Sequence, residues 1–265
     1  MQKINRNGQI LHYDFYKGQK SITIVFIHGW GANHTIWEEE CKYFIASGCS
    51  VLNLDLRCHG HSICSKKPDF SDFAEDIALI MKRAGISKAV LVGHSMGGLI
   101  ALDFYKKNPK KVMAAILINS SYQISKKTLR FFLPVKILGI KIIDILARRR
   151  KKKPTHMNFQ KFKKASGIKI IYEMMSSKDY FLFSDEFLKD LVKIDFSGML
   201  KKIKIPVLII SSSHDEFFRM SESKRMAELI PQGRFHEIKG THSSVIKNPD
   251  EINRSIGNFI KENCL

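Results

Sequence analysis

Val90-Leu91-Val92-Gly93-His94-Ser95-Met96-Gly97-Gly98-Leu99-Ile100-Ala101 decides how this chain folds. An apolar β-branched run leads into a Gly-x-Ser-x-Gly turn, and an apolar helical run follows. A turn this tight forces its central residue into strained backbone geometry, and glycine on either side removes the Cβ atoms that would clash. Ser95 Oγ is therefore expected on a sharp corner at the N-terminus of a helix. There the Met96 N–H and the helix dipole face any oxyanion that develops. A serine hydroxyl is a poor nucleophile until a base takes its proton and an acid orients that base. Both are expected further along the chain.

Outward from this stretch, short apolar runs recur at 21–27, 50–54, 113–118 and 206–210, with 89–92 as their centre. Continuous apolar runs of this length suit parallel strands covered on both faces. Helix-like segments lie between them, at about 34–46, 71–84, 96–107, 221–230 and 249–262. Residues 9–16 alternate as an antiparallel edge strand does. The expected architecture is α/β: a doubly wound, mostly parallel sheet. The alternation stops after Ile118 and resumes at Ile205, and an insertion of about 80 residues is too long for a loop. The expected division is a core of residues 1–121 and 205–265 with a basic helical lid at 122–204. Such a lid would cover the carboxyl ends of the strands, where α/β proteins bind ligands.

The acid and base candidates follow the last two strands. Asp215 stands after the run 207–210, within Ser211-Ser212-Ser213-His214-Asp215-Glu216, with Glu216 as its rival for the same role. His242 stands after 234–238, in Gly240-Thr241-His242. The order Ser, acid, His is the one expected on this type of sheet. A second oxyanion donor fits the loop Phe26-Ile27-His28-Gly29-Trp30-Gly31, with the Trp30 N–H beside that of Met96. His28 and Gly29 belong to the same substrate-facing loop, and the role expected of His28 is to hold it by hydrogen bonds.

These stretches together resemble the α/β-hydrolase superfamily, over residues of about 9–121 and 205–262. The resemblance extends to Leu54-Asp55-Leu56-Arg57-Cys58-His59-Gly60-His61-Ser62, where Cys58 replaces the usual glycine. Cys58, His59, His61 and Cys64 could also be drawn as a zinc site, but the family loop accounts for both histidines without metal. The resemblance implies acyl transfer through Ser95, His242 and Asp215, with no cofactor and no metal. A carboxylic ester is the expected substrate, because an alkoxide leaves more easily than an amine. Thioesters, peptides and carbon–carbon bonds remain open within the superfamily. His28-Gly29-Trp30-Gly31-Ala32-Asn33, followed by Trp37, is similar to the corresponding loop of the pimeloyl-acyl-carrier methyl ester carboxylesterases. That likeness implies an acidic carrier protein as a partner.

Composition sets the outer limits. The chain has 265 residues, 44% hydrophobic and 26% charged, with 16 Gly and 7 Pro, which excludes disordered and collagen-like classes. Five scattered cysteines in a chain this long argue against a disulfide scaffold. No apolar leader follows Met1, and no uncharged stretch approaches the ~20 residues of a membrane span. A reducing, cytoplasmic setting is the resulting expectation. The net charge of +19 is concentrated, because residues 122–204 carry 21 Lys and Arg against 7 Asp and Glu. Within them, the basic run 148–153 suits a solvated turn, or a docking patch for a carrier protein or an anionic lipid surface. No nucleic-acid motif accompanies it. The apolar face of 135–148 suits burial on the core, an acyl-chain pocket or a lipid interface. Three functions therefore stay open: a carboxylesterase, a lipase-like enzyme at an anionic membrane surface, and a non-catalytic binding protein on the same fold.

Overall fold

In a computed structural model of the chain, residues 1–6, 8–64, 68–124, 158–165 and 190–263 are described. Eight strands among them form one sheet: β1 (Gln2–Arg6), β2 (Gln9–Tyr16), β3 (Thr23–Ile27), β4 (Ser50–Leu54), β5 (Ala89–His94), β6 (Val112–Ile118), β7 (Val207–His214) and β8 (Gly233–Thr241). Their spatial order is β1-β2-β4-β3-β5-β6-β7-β8. The pairs β1–β2 and β2–β4 are antiparallel, and every later pair is parallel. Every residue of β3, β4 and β5 is buried, which is why those stretches are mostly apolar, with Thr23, Ser50, Asn53 and His94 as buried polar exceptions.

Alternate side chains divide the core in two. Val25, Ile27, Leu91 and Leu117 point into one cluster, with Phe73, Ile77 and Ile80 of α2 (Phe70–Arg83) and Leu99 and Ile100 of α3 (Met96–Lys107). Ile24, Phe26, Val90 and Val92 point into the other, with Phe44 of α1 (Glu38–Ala46). Two further helices, α4 (Ser197–Leu200) and α5 (Met220–Leu229), send Leu200 and Met226 into the first cluster. The short α6 (Ser244–Lys247) and the last helix α7 (Pro249–Glu262) cover the second. In α7 the buried Ile252, Ile256, Phe259 and Ile260 repeat at helical spacing, each contributing about 1.5–3 kcal/mol of apolar burial.

Several local details depart from the sequence reading. Strand β1 was not expected, since only Ile4 of its five residues is buried and no alternation shows. The segment 34–46 divides into a 3-10 turn at His34–Trp37 and then α1. Cys58 and Cys64 are joined by a disulfide, with Cα atoms 5.0 Å apart, so these sulfurs are not a pair of zinc ligands. Cys58 has φ 61, the left-handed conformation that explains why its family position usually holds glycine. Cys41 and Cys49 are free thiols.

The described ends of the inserted segment lie together: Gln123 and Asp195 form an antiparallel bridge, and the Phe196 N–H donates to the Tyr122 carbonyl at 2.9 Å. From its middle, Phe159 is buried in the second core cluster, and Gln160 Nε2 donates to the Thr35 carbonyl at 2.8 Å. The apolar stretch 135–148 and the basic run 148–153 lie outside the described residues. Among the described residues, no helix is long and apolar enough to cross a membrane.

Candidate active site

Five parallel strands end immediately before a residue of interest: β3 before His28, β5 before Ser95, β6 before Asn119, β7 before Asp215 and β8 before His242. Parallel pairing puts all these ends on one edge of the sheet. Ser95 occupies the corner between β5 and α3 with φ 55 and ψ −121, the strained geometry expected of the turn. A Cβ on Gly97 would collide with the carbonyl oxygens of Ile27 and His28, so only glycine lets α3 approach β3 this closely. The corner is tied down by the Ser95 N–H, which donates to the Ile118 carbonyl at 3.0 Å. Ser120 Oγ in turn donates to the Ser95 carbonyl at 2.8 Å.

Asp215 and His242 meet as the sequence order suggests. His242 Nδ1 donates to Asp215 Oδ2 at 2.9 Å, while the amides of Phe217 and Phe218 donate to Asp215 Oδ1 at 2.7 and 3.0 Å. Burial alone would raise the Asp215 pKa. The charge and hydrogen bond of His242, with the two amides, outweigh it and hold the carboxyl below its usual range. The rival Glu216 accepts the backbone N–H of His242 at 3.0 Å and leaves the ring to Asp215.

The His242 ring sits among aromatic neighbours, 4.5 Å from Phe217 and 4.7 Å from His94 between centroids. His94, the residue before Ser95, donates from Nε2 to the His242 carbonyl at 2.9 Å, which brings base and nucleophile candidates to one place. Burial, reinforced by the neighbouring His242, pushes His94 down to about 3, so it stays neutral. The Ser95 hydroxyl itself makes no hydrogen bond among the described residues.

Asn119 is a positioning residue that the sequence reading missed. Its Nδ2 donates to the carbonyls of Thr241 and His242, each at 3.2 Å, and its Oδ1 accepts the Ser212 N–H at 2.8 Å. It thus ties the end of β7 to the turn that carries His242. An asparagine directly after a buried strand, here at φ 46, was the available signal.

The expected oxyanion loop lies against the elbow. A Cβ on Gly29 would stand 3.0 Å from Ser95 Cβ and 3.2 Å from His94 Nδ1. His28 Nδ1 donates to the Gly29 carbonyl at 2.7 Å, and its Nε2 accepts the Leu56 N–H at 3.0 Å. Burial, followed by His59, lowers the His28 pKa to about 3, so a neutral ring braces the loop. Trp30 packs against the first core cluster, and Met96 is the first residue of α3.

A doubly wound sheet with a strained serine between strand and helix, and an Asp–His pair beyond its last strands, defines a protein of the nucleophile-elbow class. Comparison with known proteins agrees. Residues 22–135 match the family described as alpha/beta hydrolase fold. The chain is 32% identical over 223 residues to the pimeloyl-[acyl-carrier protein] methyl ester esterase of Wigglesworthia glossinidia brevipalpis, covering 75% of this chain and 76% of that protein. It is 25% identical over 258 residues to protein ABHD8 of Homo sapiens, covering 91% of this chain but only 56% of that longer protein. A solved structure from the thaumarchaeon Nitrososphaera gargenis, described in a study of carboxylesterases, superposes with a TM-score of 0.78. That match has 22% identity and covers 99% of each chain. The chain belongs to the α/β-hydrolase family.

Proposed function

We propose that the protein is a serine carboxylesterase. The observation that carries this reading is the Asp215–His242 hydrogen bond of 2.9 Å, on a histidine whose backbone carbonyl accepts from His94, the residue before Ser95. In the proposed cycle, His242 takes the Ser95 Oγ proton as that oxygen attacks the ester carbonyl. The Met96 and Trp30 amides hold the tetrahedral oxyanion, Asp215 steadies the imidazolium, and His242 passes the proton to the departing alcohol. Water, deprotonated by the same imidazole, then releases the acid from the acyl-enzyme. Every step is proton transfer or acyl transfer, so no cofactor is required.

An ester of small or medium acyl length is the proposed substrate, presented from the side covered by a basic lid of residues 122–204. The esterase named for a pimeloyl-carrier substrate, at 32% identity, favours a carrier-borne ester, and a positive lid would attract an acidic carrier. The test is the initial rate on nitrophenyl esters of two to sixteen carbons, with Ser95→Ala alongside. Ser95-dependent activity peaking at short or medium chains is expected. A maximum at long chains that rises with micelles would replace the reading with a lipase. No hydrolysis and no fluorophosphonate labelling at Ser95 would replace it with a binding protein.

A further inference from the structure

Asp55, the first residue after β4, is fully buried, and five histidines surround or adjoin it in the chain and in space: His12, His28, His34, His59 and His61. Half of the chain's ten histidines therefore gather at one carboxylate that the proposed chemistry does not use. Two of them present the same atom to it. His34 Nδ1 lies 2.8 Å from Asp55 Oδ1, and His61 Nδ1 lies 3.3 Å from Asp55 Oδ2. The three donor atoms, one from each residue, all fall within 4.8 Å of one another.

We propose that His34, Asp55 and His61 form a binding site for one divalent transition-metal ion of the zinc type, a site that also clamps the oxyanion loop. Two imidazoles and a carboxylate are ligands that such ions accept, at about 2.0–2.2 Å each, with further positions left to water. An ion that replaces the proton between a ring nitrogen and a carboxylate oxygen needs those two atoms about 3 Å apart, close to what both pairs show. The carboxylate is set in place beforehand, because the backbone amides of His34 and His61 each donate to it at 2.8 Å. Entry is open, since His61 is 41% exposed while Asp55 closes the inner side.

On binding, each ring would offer its Nδ1 lone pair to the ion and carry its proton on Nε2. Location gives the site its consequence. His34 immediately follows the loop of Gly29, Trp30 and Asn33, while His61 belongs to the turn that the Cys58–Cys64 disulfide closes. An ion shared between them joins these two segments and stiffens the one that carries the Trp30 amide.

The experiment is calorimetric titration of Zn2+ into the full chain, free of any purification tag and with its disulfide intact. The expected result is one ion per chain, with affinity at least about tenfold weaker in His34→Ala and in His61→Ala and unchanged in His242→Ala. Saturating Zn2+ should raise Tm by about 5–10 °C in the wild type and in Ser95→Ala, and by much less in His61→Ala. Melting of the metal-free variants shows that they fold, so a lost signal reports the site. No saturable binding below millimolar Zn2+, or binding that survives both histidine substitutions, would overturn the proposal and leave a purely hydrogen-bonded clamp.

Discussion

Asp55 and Asp215 are built alike and surrounded differently. Each follows the last residue of a parallel strand, each has a buried side chain, and each accepts two backbone amides and a histidine Nδ1. Beyond Asp215 stands one histidine, which His94 ties to the nucleophile turn. Beyond Asp55 stand two, His34 and His61, facing one another at 5.7 Å between centroids with no nucleophile between them. The same strand-end carboxylate thus meets one histidine in the pair proposed for proton transfer and two in the proposed metal site. What differs is the segment delivered opposite it.

That contrast can be broken by substitution. Ser95→Ala should remove essentially all ester hydrolysis, and Asp215→Asn should lower kcat by about 10⁴-fold through the wrong imidazole tautomer. Asp55→Asn should leave the rate constant of the chemical step far less affected while costing about 1–3 kcal/mol of stability, read from a urea midpoint. Equal rate losses in the two variants would mean that the contrast is wrong.

Acid should sharpen it. His28, beside Asp55, and His94, beside His242, are each lowered from 6.5 to about 3, so both stay neutral in the fold while the unfolded chain binds protons. Their lowered values mean that folded stability is complete above about pH 6.5 and falls as pH drops from there toward 3. Asp55 and Asp215, also held low, add a second loss that begins only below the ordinary carboxylate range, about pH 4. A urea midpoint unchanged between pH 7 and 5 would contradict the burial assigned to both histidines. The smallest expected effect is that of Glu216→Gln: because Glu216 meets the His242 backbone and not its ring, kcat should stay within about twofold.

Much of this arrangement is legible along the chain, for a physical reason. Strands buried on both faces must be apolar runs, and a turn that reverses a strand into a helix at a serine requires glycine around it. The elbow and the central strands therefore leave local signatures. Other features leave none. Strand β1 is held by ladder hydrogen bonds to β2 more than by burial, so its side chains carry no pattern. Asn119 matters through carbonyls more than a hundred residues away, and nothing in its immediate neighbours announces that. Cys58 looks like a plain departure from glycine until its left-handed backbone and its bond to Cys64 are seen together.

The sequence alone determined the kind of sheet, the serine corner and the order in which an acid and a histidine must follow it, because period, glycine placement and order are properties of the chain itself. It named Asp215 as the acid but left the adjacent Glu216, a carboxylate of nearly equal chemistry, as its rival. In the fold, Asp215 meets the ring of His242 and Glu216 its backbone amide. The sequence could not show that His34 and His61, twenty-seven positions apart, face one buried carboxylate. Distance through space is decided by how β3 and β4 lie side by side, and only the tertiary structure holds that information.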